Sequence, residues 1–256
     1  MRCANCGTEL LGDYCHSCGQ HRVAPDEFAI LPLLRQFGSE LAHLDFKSVR
    51  SMAALLNPGV LTREFLEGKR RRHLSPLKLY FLAAAVFFVA APYVGFGLTD
   101  MLEEDSEGVL KGLADAHIAE RGMNPEVFVE RFDLRIQTVY TLSLSVSVVV
   151  TALLLRALFR GPLGAHVVFA LHYVSFLYLA AMAGGAVMQV TGWTGPLPSI
   201  GLAYSILTPY LFVALRRVYQ DTIMRTALKM LVIFAATFVV DNIVSFAALM
   251  LTLWLV

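Results

Sequence analysis

The four cysteines of this chain all lie within its first eighteen residues. They form two Cys-x2-Cys pairs with eight residues between the pairs: Cys3, Cys6, Cys15 and Cys18. A glycine follows each pair, and glycine permits the positive φ that a tight turn around a metal favours. Two such turns joined by a short hairpin place four sulfurs tetrahedrally at about 2.3 Å from one Zn²⁺. The pattern predicts a small zinc ribbon over residues 1–22.

Four thiolate ligands close a zinc site and leave no position for a reactive water. We therefore expect this Zn²⁺ to be structural rather than catalytic. Disulfides are the alternative for the cysteines, but disulfides are rare in reducing compartments, where the topology argued below places this segment. His16 and His21 lie nearby, and we interpret them as surface residues because the thiolates already complete the site.

A second set of candidate residues is polar but lies within apolar sequence: His172, Asp241 and Asn242. Ionisable residues inside a membrane are costly, and by default they mark a functional site. Two interpretations stay open. These side chains either hydrogen-bond within a packed bundle, or they contact a conducted proton, ion or ligand. The sequence does not show that His172 and Asp241 meet.

The elements that carry these polar residues are apolar runs of membrane-spanning length. Hydrophobic residues make up 57% of the chain and charged residues only 16%, with a mean hydropathy of +0.61. A helix needs about 20 apolar residues to cross the hydrocarbon of a bilayer. Five runs approach that length: 77–98, 138–158, 166–190, 199–215 and 230–255. We predict an all-α membrane protein, with a five-helix transmembrane bundle over residues 77–256.

The orientation of the bundle follows from its basic residues, because lysine and arginine favour cytoplasmic loops. A basic run directly precedes the first apolar run: Lys69, Arg70, Arg71 and Arg72. Every second loop after it is also basic, whereas the loop 99–137 is mainly acidic. We predict a cytoplasmic N-terminus and an acidic extracytoplasmic loop at 99–137. No cleavable signal segment is recognisable, so the first span is expected to act as its own insertion signal.

Residues 23–76 join the ribbon to the first span and carry helical periodicity. Apolar residues between 30 and 44 form one stripe, and a second helix is predicted over 48–56. A third is expected to begin with Asn57 as the N-cap and Pro58 in the first position, and to stop at Gly68. These amphipathic helices either pack against the membrane and bundle, or form a groove for a protein partner. The basic run is also expected to contact anionic lipid headgroups.

The first ninety residues resemble a bacterial family of multi-spanning membrane proteins that is defined as a domain of unknown function with an N-terminal zinc ribbon. The resemblance rests on the two CxxCG motifs and on short stretches before the first span: Leu44-Asp45, Asn57-Pro58-Gly59, Phe65-Leu66-Glu67-Gly68-Lys69-Arg70 and Pro76. It implies the fold, the zinc ion and the membrane. It implies no activity.

No catalytic signature of a P-loop, a GxSxG hydrolase or an HExxH protease occurs in the chain. The net charge of +1 predicts no nucleic-acid partner. We expect a non-enzymatic membrane protein whose ribbon and cytoplasmic helices bind a cytoplasmic protein or assemble a homo-oligomer among membrane lipids. The alternatives are transport of an ion, proton or small solute through Asp241 and His172, and a lipid-acting enzyme that uses the same pair.

Overall fold

The computed structural model describes residues 1–22, 46–93, 108–193 and 196–256. The apolar stripe predicted between 30 and 44 lies outside these residues, as does the first part of the acidic loop. Within the described part the chain is helical, apart from the ribbon, where two isolated β-bridges pair Arg2 with Glu9 and Tyr14 with His21.

The described residues form eight α-helices. They are α1 (Phe46–Leu55), α2 (Val60–Leu66), α3 (Pro76–Ala90, extended by a 3-10 turn at Ala91–Tyr93), α4 (Val109–Arg121), α5 (Pro125–Leu158), α6 (Leu163–Thr191), α7 (Pro196–Tyr219) and α8 (Ile223–Leu255).

Two of these helices, α6 and α8, are long and apolar enough to cross a membrane. Helix α3 and the part of α5 at Ser145–Leu158 are apolar but shorter. All five predicted runs fall on helices, although residues 94–98 of the first lie outside the described part. Helix α5 begins at Pro125, after Asn124, whose Oδ1 accepts a hydrogen bond of 2.8 Å from the Glu126 amide. The segment predicted as an acidic loop therefore contains α4 and the first turns of α5.

Helix α6 lies at the centre of the bundle and packs against α3, α5 and α7, while α8 closes the outer side against α5 and α7. Buried side chains form one core between α3, α5 and α6, and another between α5, α6, α7 and α8. Helices α1 and α2 pack on α3, α6 and α7. Leu55 and Leu61 of these short helices join Leu79 of α3 in a buried cluster. The predicted packing of short helices beneath the bundle is thus present for α1 and α2.

The turn Asn57-Pro58-Gly59 differs from the prediction. Helix α2 begins at Val60, and its N-cap is Gly59, with φ 72° and no side-chain cap. The prediction of Asn57 as the N-cap was wrong, because its Oδ1 instead accepts a hydrogen bond of 2.6 Å from Arg217 of α7. Arg217 also donates to the Pro58 carbonyl at 2.5 Å. The predicted stop at Gly68 is confirmed, since Gly68 has φ 85° and α2 ends at Leu66.

Candidate metal centre and its contacts with the helices

The four cysteine Sγ atoms lie within 4.8 Å of one another and can hold a metal ion. The sulfurs of Cys3 and Cys18 are 3.7 Å apart, and those of Cys6 and Cys15 are 3.5 Å apart. Sulfurs on a tetrahedral zinc with bonds of about 2.3 Å are separated by about 3.8 Å. A disulfide requires about 2.05 Å, and all four thiols are free. The geometry therefore fits a tetrahedral metal and not a pair of disulfides.

Each half of the ribbon is built in the same way. The amide of Gly7 donates to the Cys3 carbonyl at 2.8 Å, and the amide of Gly19 donates to the Cys15 carbonyl at 2.7 Å. Both glycines have positive φ, 78° and 68° respectively. The positive φ that was predicted from the glycine after each cysteine pair is therefore present at both turns. These turns bring the two sulfurs of each pair to the same side of the chain.

The thiol of Cys6 has a hydrogen-bond partner besides the other cysteines. Its Sγ lies 3.3 Å from the Thr8 hydroxyl oxygen. When the thiol ionises, that hydroxyl donates to it, and this bond, followed by one from the Thr8 amide, lowers the pKa of Cys6 to about 6. His16 is exposed and His21 packs edge-on against the Tyr14 ring. The sulfur cluster consists of the four cysteines alone.

The ribbon is joined to the end of α2 by the side chains of Gln20 and Arg71. The side chain of Gln20 donates from Nε2 to the Gly68 carbonyl at 2.7 Å and accepts from the Arg70 amide at 3.1 Å. Gln20 is only 6% exposed. Arg71 reaches back and donates from Nε to the Cys18 carbonyl at 2.9 Å. The junction therefore connects a cysteine ligand to the end of α2 through hydrogen bonds in both directions.

The basic run does not present four equivalent charges. Lys69 pairs with Glu67 at 2.7 Å, and the Arg70 guanidinium lies 4.6 Å from the centre of the Phe65 ring. Arg71 holds the ribbon, as described, and Arg72 is exposed. Contact of this run with lipid headgroups stays a prediction, and Arg72 is the residue best placed for it.

His172 is buried between α6 and α2. Its Nδ1 lies 2.9 Å from the hydroxyl oxygen of Thr62, and no partner for its Nε2 lies among the described residues. His172 lines a narrow cleft, too small to hold a water molecule, together with Arg70 and His73. The cleft lies beside the ribbon junction, because Arg70 belongs to both.

His73 also lines that cleft. Its Nε2 lies 3.1 Å from a carboxylate oxygen of Glu64 on α2. Burial lowers the pKa of His73, although Glu64 opposes that shift, and the charges of Arg50 and Arg72 lower the pKa further. The imidazole is therefore held neutral more readily than an exposed histidine.

Asp241 lies on α8 and has a different partner. Its Oδ1 accepts a hydrogen bond of 2.6 Å from the Ser147 hydroxyl of α5. Asn242 is exposed and donates to the Phe238 carbonyl of its own helix at 2.7 Å. The structure thus gives His172 and Asp241 separate partners, and a functional role for either residue stays a prediction.

Three residues that join the ribbon and α2 to the larger helices were not predicted from the sequence: Gln20, Thr62 and Arg217. Gln20 had a signal, since it directly follows the second Cys-x2-Cys-Gly motif. Arg217 was interpreted only as a topology signal in a basic loop. Thr62 had no signal, because a threonine in a short amphipathic helix is ordinary.

The described geometry can be compared with known proteins. Residues 48–88 match a family model described as "Protein of unknown function (DUF3667)". The matched segment includes the turn at Gly59, helix α2 with Thr62, the basic run and most of α3. It does not include the cysteines. No curated protein and no solved structure matches the chain.

Proposed function

We propose that this protein is a multi-pass zinc protein of the bacterial inner membrane, with five spans and a cytoplasmic N-terminus. Its zinc ribbon and short cytoplasmic helices form a cap at one end of the bundle. The cap serves partner binding or assembly rather than catalysis. Zn²⁺ is the metal that best suits four closely spaced thiolates in a reducing compartment, and the four cysteines would hold it as a structural ion.

One observation carries the proposal: the metal centre is attached to the bundle rather than tethered loosely to it. Gln20 and Arg71 connect the ribbon to the end of α2, and α2 is buried against α6 and α7 through Thr62 and Gly59. A metal site with four protein ligands that is attached in this way stabilises the surface of the ribbon. It leaves no open position on the metal for a reaction.

The surface supported by the metal carries exposed apolar residues. Leu11 is 85% exposed and Tyr14 is 68% exposed, although both belong to a ribbon of 22 residues with little core of its own. Aromatic side chains are enriched at protein contact sites. Tyr14 therefore supports a protein partner or a second copy of the chain as the occupant.

Photocrosslinking in cells tests this function. A photoreactive residue at Leu11 should capture one discrete protein, either a partner or a second copy. The same residue at Met224, which is 79% exposed at the start of α8, serves as the matched control. Cys15→Ser should abolish the crosslink because metal binding supplies most of the folding energy of small zinc modules. Recovery of no protein from Leu11, with zinc present, would contradict the proposal.

The metal and the topology have their own tests. Purified protein should contain about one equivalent of zinc, since four thiolates make one tetrahedral site. In a cysteine-free variant, a single cysteine at position 104 should react with an impermeant label in intact cells, whereas one at Asp221 should not. The reverse labelling pattern would invert the topology.

The transport and lipid-enzyme hypotheses have no specific support from the contacts, because His172 and Asp241 are bonded to Thr62 and Ser147 rather than to each other. Transport stays testable. If wild-type protein supports a flux of ions or protons in liposomes, Asp241→Asn should reduce it.

A further inference from the structure

The side chain of Gln20 hydrogen-bonds the backbone of residues 68–70, donating one bond and accepting another, as the backbone of a neighbouring strand would. Its amide nitrogen and oxygen bond the Gly68 carbonyl and the Arg70 amide, which lie on either side of Lys69. Gln20 is 6% exposed, its bond to Gly68 is buried and its bond from Arg70 is partly buried. A shielded amide that uses both a donor and an acceptor fixes the position of its partner, since displacement leaves buried polar groups unsatisfied.

The backbone of Gln20 belongs to the metal-binding turn. Its carbonyl accepts a hydrogen bond of 2.9 Å from the Cys15 amide. Cys15 and Cys18 are both ligands of the candidate site. The position of the Gln20 side chain therefore depends on whether these two cysteines are held together.

Arg71 adds a second connection at the same turn. It donates to the carbonyl of Cys18, and a Cβ added at Gly19 would lie 2.6 Å from its Nη2. The guanidinium thus rests against the turn itself. Loss of the turn geometry would remove both the acceptor and the surface on which Arg71 lies.

The segment that receives these contacts closes a cleft. Lys69, Arg70 and His73 line it together with the buried His172. Movement of this segment away from α6 would open the cleft toward His172, whose Nε2 has no partner among the described residues.

We propose that Gln20 and Arg71 form a metal-dependent latch, which holds residues 68–73 over the cleft at His172 while the ribbon is loaded and releases them when the metal leaves. The latch rests on the proposed zinc site and goes beyond its role in partner binding. Its chemistry is limited to hydrogen bonds that depend on the geometry of the turn.

Hydrogen exchange of the full-length protein in detergent tests the release. Chelation of the metal from wild-type protein should raise amide exchange in peptides covering 68–73, because the Arg70 amide loses its acceptor. Peptides from the buried first half of α6 should not change. Zinc-loaded Gln20→Ala should show the same rise at 68–73, whereas Arg72→Ala, an exposed neighbour, should exchange like the wild type.

The reciprocal effect gives a second measurement. Because coupling between two sites is mutual, a latch that is stabilised by metal must also stabilise the metal. The zinc dissociation constant, measured by competition with a chromophoric chelator, should be roughly tenfold higher in Gln20→Ala and higher by a smaller factor in Arg71→Ala. Arg72→Ala should bind zinc with wild-type affinity.

The outcomes separate the latch from the zinc site. Wild-type protein that contains no metal would overturn the zinc site and the latch with it. Protein with one zinc, whose exchange at 68–73 is unchanged by chelation, would overturn the latch alone. So would Gln20→Ala with wild-type zinc affinity. The first two outcomes are measured on wild-type protein, so they do not depend on whether a variant folds.

Discussion

The two helices that are apolar and long enough to span a membrane, α6 and α8, differ in what surrounds them. In the most apolar stretch of α6, 56% of the residues are buried inside the protein, whereas in that of α8 only 11% are. Helix α6 is enclosed by α3, α5 and α7 and by the short helices α1 and α2. Helix α8 turns large side chains such as Leu231, Phe238 and Phe246 outward. Hydropathy thus records an apolar environment, and either protein or lipid can supply it.

The polar residues of the two helices differ in the same way. His166, His172 and Ser175 of α6 are buried. His166 and His172 have side-chain partners outside their helix, the hydroxyls of Tyr219 and Thr62. Asn242 of α8 is exposed and bonds its own backbone. The two histidines of α6 therefore depend on tertiary structure, whereas Ser175, which donates to the Leu171 carbonyl, and Asn242 are satisfied within their own helices.

The largest expected loss of stability is for removal of a phenylalanine ring from α6, compared with removal of a ring from α8. Phe169→Ala in α6, where the ring is 2% exposed, should lower the free energy of unfolding by about 3–5 kcal/mol. Phe246→Ala in α8, where the ring is 64% exposed, should cost under about 1 kcal/mol in detergent, because the ring contacts little protein. Thermal or denaturant unfolding in the same detergent measures both. Equal losses would show that α8 is also covered, for example by a second copy.

A smaller loss is expected at the contact between Thr62 and His172. Thr62→Val keeps the shape but removes the hydroxyl, and should destabilise the protein by about 1–3 kcal/mol because His172 is left buried without a partner. Thr237→Val is the control on α8, where the hydroxyl bonds the Ile233 carbonyl of its own helix. We expect a change within about 0.5 kcal/mol there. A Thr62 variant as stable as the wild type would mean that water reaches His172.

The comparison also shows how much the sequence could predict. The cysteine pairs, their glycines and the positions of the apolar runs follow from local rules, and the structure places helices at those runs and the sulfurs in one cluster. How far each helix is buried inside the protein could not be predicted, because an apolar run has the same hydropathy whether it packs against another helix or contacts lipid. Two helices are long and apolar enough to span a membrane, while five spans stay part of the proposal.

The contacts of the candidate site were unpredictable for a related reason. Asn57 looked like a helix cap because capping is a local rule. Its actual partner, Arg217, lies 160 residues away in the sequence. Gly59 has its positive φ and also a close approach to Ala214, whose backbone would lie 2.9 Å from an added Cβ. Such pairings depend on how helices assemble, which a single sequence does not record.

A pH-dependent effect is expected at the cap, where His73 lies between α2 and the bundle. Its pKa is lowered in the folded protein, first by burial, so the unfolded chain binds the proton more readily. Stability should therefore fall as pH drops below about 6.5, the ordinary value for histidine, and the loss should level off below the folded pKa.

The variant His73→Gln should weaken that dependence. Unfolding measured between pH 7.5 and 5.5 should show less loss for the variant than for the wild type. Zinc release at low pH affects both proteins equally, so their difference reports His73. His16→Gln, at an exposed ribbon position, is the control and should follow the wild type. A steeper loss in the His73 variant would mean that the charged imidazole stabilises the fold through Glu64.

The smallest expected effect concerns the hydrogen bond from Ser147 to Asp241, which joins α5 to α8. Hydrogen bonds between helices in membranes contribute about 0.6 kcal/mol on average. Asp241 is only half-buried, so it can find another partner when the hydroxyl is removed. Ser147→Ala should therefore lower the free energy of unfolding by under about 1 kcal/mol, and Ser205→Ala, at an exposed site on α7, by less. A loss above about 2 kcal/mol would show that Asp241 is as dependent on its partner as His172 is. The contrast between the enclosed polar groups of α6 and those of α8 would then fail at this position, and Asp241 would become the stronger candidate for a functional site inside the bundle.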